Sequence, residues 1–181
     1  KETDNLMGKD PYSASKVCQE NIVYSYFVSF FLNKKSILTV RSGNILGGGD
    51  FSDDRIVPDY FRAYLKNKRL KIRNKYSTRP WQHILDASNA YVNLIENFFN
   101  KYNGKNEISW NVCSKNKKSI SVLKLVEKLN NLSNKPVKFS FTKKKYVETK
   151  ELNLNSNKIK KYINWSNKID IDQSIKLTFD W

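Results

Sequence analysis

The chain has 181 residues, 39% hydrophobic and 28% charged, with four Trp, ten Tyr and ten Phe; that suits one domain, or one and a fraction, around a substantial core, and excludes a disordered segment. The formal charge of +16 raises nucleic acid as a partner, but Lys supplies 27 of the 33 basic residues and Arg only six. Base readout and bidentate phosphate grip favour Arg, so scattered lysines in a Lys/Asn-biased proteome predict a solvated basic surface and no nucleic-acid partner.

In chain order, Pro11 precedes a run from Tyr12 to about Phe31 without Gly or Pro. Pro fits the first turn of a helix. Val17, Ile22, Val23, Tyr24, Phe27, Val28, Phe30 and Phe31 make this helix apolar on more than one side. One side is expected against a sheet and another against a partner subunit. Ile37 to Val40 reads as a buried strand, followed by a loop from Ser42 to Asp54 that contains Gly47-Gly48-Gly49. A helix from about Val57 to Lys66 and a short strand, Leu70 to Arg73, come next. Ile84 to Phe99 repeats apolar residues near the 3.6 period of a helix. Ile108 to Val112 is a strand, Ser121 to Leu132 an amphipathic helix and Val137 to Phe141 a strand. Two short helices near 155–163 and 172–181 close the chain. The stretch around Lys143 to Lys150, with the longest lysine run at 143–145, is the most loop-like. Strands alternating with helices define an α/β fold with parallel strands.

Cys18 and Cys113 lie far apart and show no metal-ligand spacing, so free thiols in a reducing cytoplasm are expected. No apolar run approaches the roughly 20 residues that span a bilayer, and no membrane partner is expected. The glycine triplet lacks G-x-G-x-x-G and is no dinucleotide fingerprint; a flexible loop is the expectation.

Tyr12-Ser13-Ala14-Ser15-Lys16 places a phenol and an ammonium at i and i+4, neighbours on one helix face. An ammonium beside a phenol favours the phenolate, which suits general-base work. Alone, Y-x-x-x-K is equally a plain surface pair. Asn44 and Asn111 each fall near a strand end, where ligands bind in open α/β sheets, though turn or capping roles serve Asn as well. Arg79 offers a planar fork for phosphate oxygens. Arg55 reads either as a nucleotide-site cation or as a surface ion-pair member. His83, the single histidine, reads as structural.

Asp10 to Lys16, Arg41-Ser42-Gly43-Asn44-Ile45-Leu46-Gly47-Gly48-Gly49-Asp50-Phe51, Asp54-Arg55-Ile56-Val57-Pro58-Asp59, Arg79-Pro80-Trp81-Gln82-His83-Ile84, Trp110-Asn111-Val112 and Leu154 to Trp165 follow one another across nearly the whole chain. In order and spacing they resemble the CDP-glucose 4,6-dehydratases, in the extended, sugar-nucleotide branch of the short-chain dehydrogenase/reductase superfamily. Cys113-Ser114 stands where that pattern has G-P. The resemblance implies the C-terminal part of a Rossmann-type doubly wound sheet with a smaller mixed α/β substrate-binding lobe. Residues 1–45 and 84–113 would end the Rossmann core, and 46–83 and 114–181 would form the lobe. It implies NAD as cofactor, a CDP-glucose-like nucleotide-sugar as substrate, cytoplasmic carbohydrate (lipopolysaccharide) biosynthesis and a homodimer. Tyr12 and Lys16 would be catalytic and cofactor-binding, and Asn44, Arg55, Arg79 and Asn111 substrate-binding. The phosphate loop, the ribose-binding acid and the T-S-D-K-like stretch that removes water in those enzymes do not occur here. The 181 residues are therefore expected to be the C-terminal portion of a longer enzyme, inactive alone. An epimerase or reductase of the same superfamily is the alternative.

Overall fold

The structure, a computed structural model, describes residues 1–32, 37–101, 108–114, 119–142 and 149–181. The lysine run at 143–145 lies outside them. Helix α1, Pro11–Tyr26, begins as the sequence asks: Asp10 is its N-cap, accepting from the Ser13 backbone at 3.0 Å and the Ser13 hydroxyl at 2.6 Å, with Pro11 in the first turn. These bonds hold the Asp10 carboxyl below the usual carboxylate range. The expected single helix to Phe31 instead changes pitch: Phe27–Phe31 is a π-helical turn. No residue of α1 is buried, and Phe27 is the first side chain to enter the interior.

Two parallel strands, β1 (Thr39–Ser42) and β6 (Ser109–Val112), form the sheet that α1 flanks. β2 (Ile45–Leu46) pairs in parallel with β5 (Gln82–His83), and β3 (Leu70–Ile72) with β8 (Phe139–Phe141). β4 (Thr78–Arg79) pairs antiparallel with β7 (Ile120–Ser121). The α/β class with parallel strands is thus observed, and the lobe's strands are mixed. The two-residue strands β2, β4, β5 and β7 were not anticipated, because a two-residue strand is too short to show alternation.

Helices α2 (Ile56–Leu65), α4 (Val122–Leu132) and α6 (Ile171–Asp180) close on the larger core. That core buries Tyr60, Leu70, Ile72, Trp81, Leu125, Leu129 and Ile175 among others. Burial pushes the Tyr60 phenol up to about 12; its hydroxyl donates to Asn130 Oδ1 at 2.9 Å. α3 (Ile84–Lys101) and α5 (Asn157–Ile163) enclose a smaller core of Ala90, Leu94, Trp110, Val112, Ile159 and Trp165. This corrects one expectation: Ile159, Ile163 and Trp165, assigned by sequence to the lobe, pack on α3 and β6. Asp86, buried in the first turn of α3, fastens the segment before α6 by accepting from Lys168 and Ile169 backbone N–H groups, each at 3.0 Å.

Candidate active site

Tyr12 and Lys16 occupy the first two turns of α1, and the Lys16 ammonium lies 5.7 Å from the centre of the Tyr12 ring. The pair shares one helix face, as the i, i+4 spacing predicts. The Tyr12 side chain is 69% exposed. Lys16 donates to Gln19 Oε1 at 3.1 Å.

Asn44 lies two residues beyond the C-terminal end of β1, and its carbonyl accepts from the Gln82 backbone at 2.9 Å. Gly43, between them, passes so close to Pro80 that a Cβ there would meet the Pro80 carbonyl oxygen at 2.1 Å. Only glycine allows the chain to turn here against the Arg79–Pro80 segment. Arg79 ends β4, and its guanidinium donates to the Thr78 carbonyl at 2.8 Å. Arg55 is the N-cap residue of α2 and stands 3.9 Å from Asp50.

Tyr12, Asn44, Arg55 and Arg79 all line one cleft of about 640 Å³. Lys71, Arg73 and Asn74 add to its wall, as do Asp50, Asp53, Asp54 and Asp59. The cleft therefore brings separated motifs together, with three guanidinium groups and one ammonium set against four carboxylates, and it opens at the C-terminal end of a parallel strand. Arg73 holds the loop before α2 through the Asp54 carbonyl at 2.5 Å and carboxylate at 3.4 Å. Arg62 also grips this loop, by the Phe51 and Ser52 carbonyls and by Asp53, and pairs with Asp59 on its own helix.

Two sequence readings need correction. Asn111 lies within β6, in register with Arg41, and is buried; it does not line this cleft. Its amide donates to the Asn155 carbonyl at 3.3 Å and its backbone N–H to Glu2 Oε1 at 2.9 Å. The strand runs one residue further than a site at its end would need. The glycine triplet does not line the cleft either. A Cβ on Gly48 would sit 2.1 Å from the Trp181 ring, so the loop is packed under an indole, and glycine serves close approach there. His83 is buried, and its Nδ1 accepts from the Leu85 backbone at 3.3 Å, as a structural histidine does.

Lys71, Arg73 and Asn74 went unnoticed in the sequence. A signal was present: Leu70 and Ile72 are buried on one face of β3 while Lys71 is exposed, and strand alternation puts Lys71 and Arg73 on the other face.

A Tyr-x-x-x-Lys helix beside parallel strands, with a cleft at their C-terminal edge, defines the short-chain dehydrogenase/reductase fold. Solved structures agree. The dTDP-glucose 4,6-dehydratase from Bacillus anthracis, in complex with NAD, superposes with a TM-score of 0.78 at 21% identity, covering 100% of this chain and 54% of that one. UDP-glucose 4-epimerase from Bifidobacterium longum, in complex with NAD+ and UDP, gives 0.82 at 16% identity, covering 99% and 57%. The family model of GDP-mannose 4,6 dehydratase matches residues 1–178, and the chain belongs to that family. The CDP-glucose 4,6-dehydratase of Salmonella typhimurium is 33% identical over 135 residues, 71% of this chain and 37% of that protein. The chain thus spans about half the length of these structures and little more than a third of this relative.

Proposed function

We propose that this chain supplies the Tyr–Lys helix and the substrate-binding lobe of an NAD-dependent nucleotide-sugar 4,6-dehydratase that acts on CDP-glucose in the cytoplasm. The observation that carries the reading is the convergence of Tyr12, Asn44, Arg55 and Arg79 on one cleft. Arg55 and Arg79 offer guanidinium groups to a diphosphate, and Asn44 offers an amide to a sugar hydroxyl or phosphate oxygen. Tyr12 takes the proton of the sugar C4 hydroxyl, with the Lys16 ammonium beside its ring. NAD, when bound, supplies the hydride acceptor and donor. The residues present fit its nicotinamide ribose, because Tyr12 and Lys16 stand together with an exposed phenol. The 181 residues contain no G-x-G-x-x-G turn for the cofactor diphosphate. The preference for CDP-glucose rests on the similarity to the Salmonella relative and on the Arg79-Pro80-Trp81-Gln82-His83 and Asp54-Arg55-Ile56-Val57-Pro58-Asp59 segments, which resemble the pattern of the CDP-glucose 4,6-dehydratases.

The test is to incubate the whole enzyme with NAD and CDP-, dTDP-, UDP- and GDP-linked hexoses, following the 4-keto-6-deoxy product. Turnover of CDP-glucose above the others is expected. An epimerised or reduced sugar with no loss of water would overturn the dehydratase reading in favour of the superfamily's epimerases and reductases.

A further inference from the structure

We propose that Glu20, through a two-point bond to Arg41, is the positioning residue that holds the Tyr12–Lys16 turn of α1 at the substrate cleft; the inference rests on the function proposed above. Tyr12, Lys16 and Glu20 follow one another at intervals of four residues along α1 and so share one face. Lys16 is bonded to Gln19, which leaves Glu20 committed elsewhere. Both Glu20 oxygens accept from Arg41, Oε1 from Nε at 2.7 Å and Oε2 from Nη2 at 2.5 Å. The two side chains are only 20% and 19% exposed. A fork-to-carboxylate contact fixes angle as well as distance, and shielding of this degree spares it much of the screening that weakens surface pairs.

Within these 181 residues no buried apolar contact does this along α1. None of its residues is buried, and the nearest interior anchor, Phe27, follows the helix. The pair borders a hollow of about 630 Å³ that Glu2, Asn21, Tyr24 and Lys158 also line, so truncating Glu20 leaves no adjacent wall to catch the helix. Glu2 and Asp4 face Arg41 as well, and their charges add to that of Glu20 in holding the guanidinium protonated. Arg41 belongs to β1, three residues before Asn44. One strand thus carries both a cleft residue and the anchor of the helix that bears Tyr12. The placement of the phenol relative to Asn44 is set through Glu20.

The experiment compares Glu20→Ala, Glu20→Gln, Arg41→Glu and the charge-swapped double variant in the whole enzyme. A misplacement of about 1 Å can cost roughly 10²-fold in rate. Glu20→Ala is therefore expected to lower kcat about 10- to 100-fold while the Kd for CDP, read by calorimetry, stays within about twofold. Glu20→Gln should fall between, and the charge swap should recover kcat to within about threefold of the starting enzyme. Amide exchange across residues 13–20 should quicken in Glu20→Ala and slow again in the swap. An unchanged kcat in Glu20→Ala would overturn the role, as would parallel loss of kcat, CDP affinity and melting temperature with no recovery in the swap. If the whole enzyme turns over no nucleotide-sugar, the function proposed above fails. The exchange comparison then decides alone, unchanged protection removing the clamp and quickened exchange upholding it.

Discussion

The lobe and the Tyr–Lys helix are built by opposite means. Around α2, β3, α4 and α6, twelve buried residues form one continuous core, with Tyr60, Ile72, Leu125 and Val126 fully enclosed. Along α1 no side chain is buried, and the helix is fastened by charge. The lobe is specified by apolar volume, which is insensitive to small errors of direction. Within these 181 residues the helix is tied to β1 by one directional ion pair, which is not. Under the proposed function, a binding surface for a whole nucleotide-sugar tolerates the first kind of scaffold, and a proton acceptor for one hydroxyl benefits from the second.

Kinetics offers the sharpest way to break this contrast. In the whole enzyme, Tyr12→Phe should lower kcat about 10²–10⁴-fold, the range of general acid–base roles, with the Kd for CDP nearly unchanged. Arg79→Lys should do the reverse, weakening CDP binding by calorimetry because a point charge cannot replace a planar fork. If both variants lost rate and affinity together, the division of labour between helix and lobe would not hold.

Stability gives the second test. Leu125→Ala, at a fully buried site of the lobe, should cost about 2–5 kcal/mol in denaturant unfolding. Ile22→Ala on α1, where the side chain is 58% exposed, should stay within about 0.5 kcal/mol. A large cost at Ile22 would show that α1 has a packed partner in the whole protein, as the expected homodimer provides, and light scattering would identify it.

The smallest effect lies at His83, outside both regions. Burial lowers the His83 pKa from 6.5, so the unfolded chain takes up the proton first as pH falls. Its contribution to stability is full above pH 6.5 and is lost as pH drops through the lowered folded value. The melting temperature should therefore fall between pH 7 and 5, and fall less steeply in His83→Asn. Equal slopes would mean that other groups carry the acid sensitivity.

Much of this was legible in the sequence where a residue's role depends on near neighbours. Tyr12 and Lys16 are four apart, and helix geometry alone brings them together. Asn44 follows shortly after an apolar run, and β1 ends two residues past that run, at Ser42. The failures are long-range. Asn111 follows a similar run, but its strand continues one residue further, and only the register with Arg41 reveals it. The glycine triplet looked mobile because its covering residue, Trp181, lies far away in sequence. The Glu20–Arg41 pair spans 21 residues and two elements, and nothing in either local pattern announces it. Ile159 and Trp165 follow the lobe in sequence and pack elsewhere, since chain order does not decide which core a short helix joins.

The indole that lies over Gly48 also gives the molecule an optical signature. Trp81, Trp110 and Trp165 are each no more than 7% exposed, whereas Trp181 is 76% exposed and meets the Phe51 ring at 6.4 Å. Of the four fluorophores, one alone faces solvent, and it rests on the loop that leads from Asn44 to Asp50 at the cleft. A water-soluble quencher addresses that indole before the other three. The intensity it removes is a readout of whether the loop beneath has moved, obtained without a label and without any turnover.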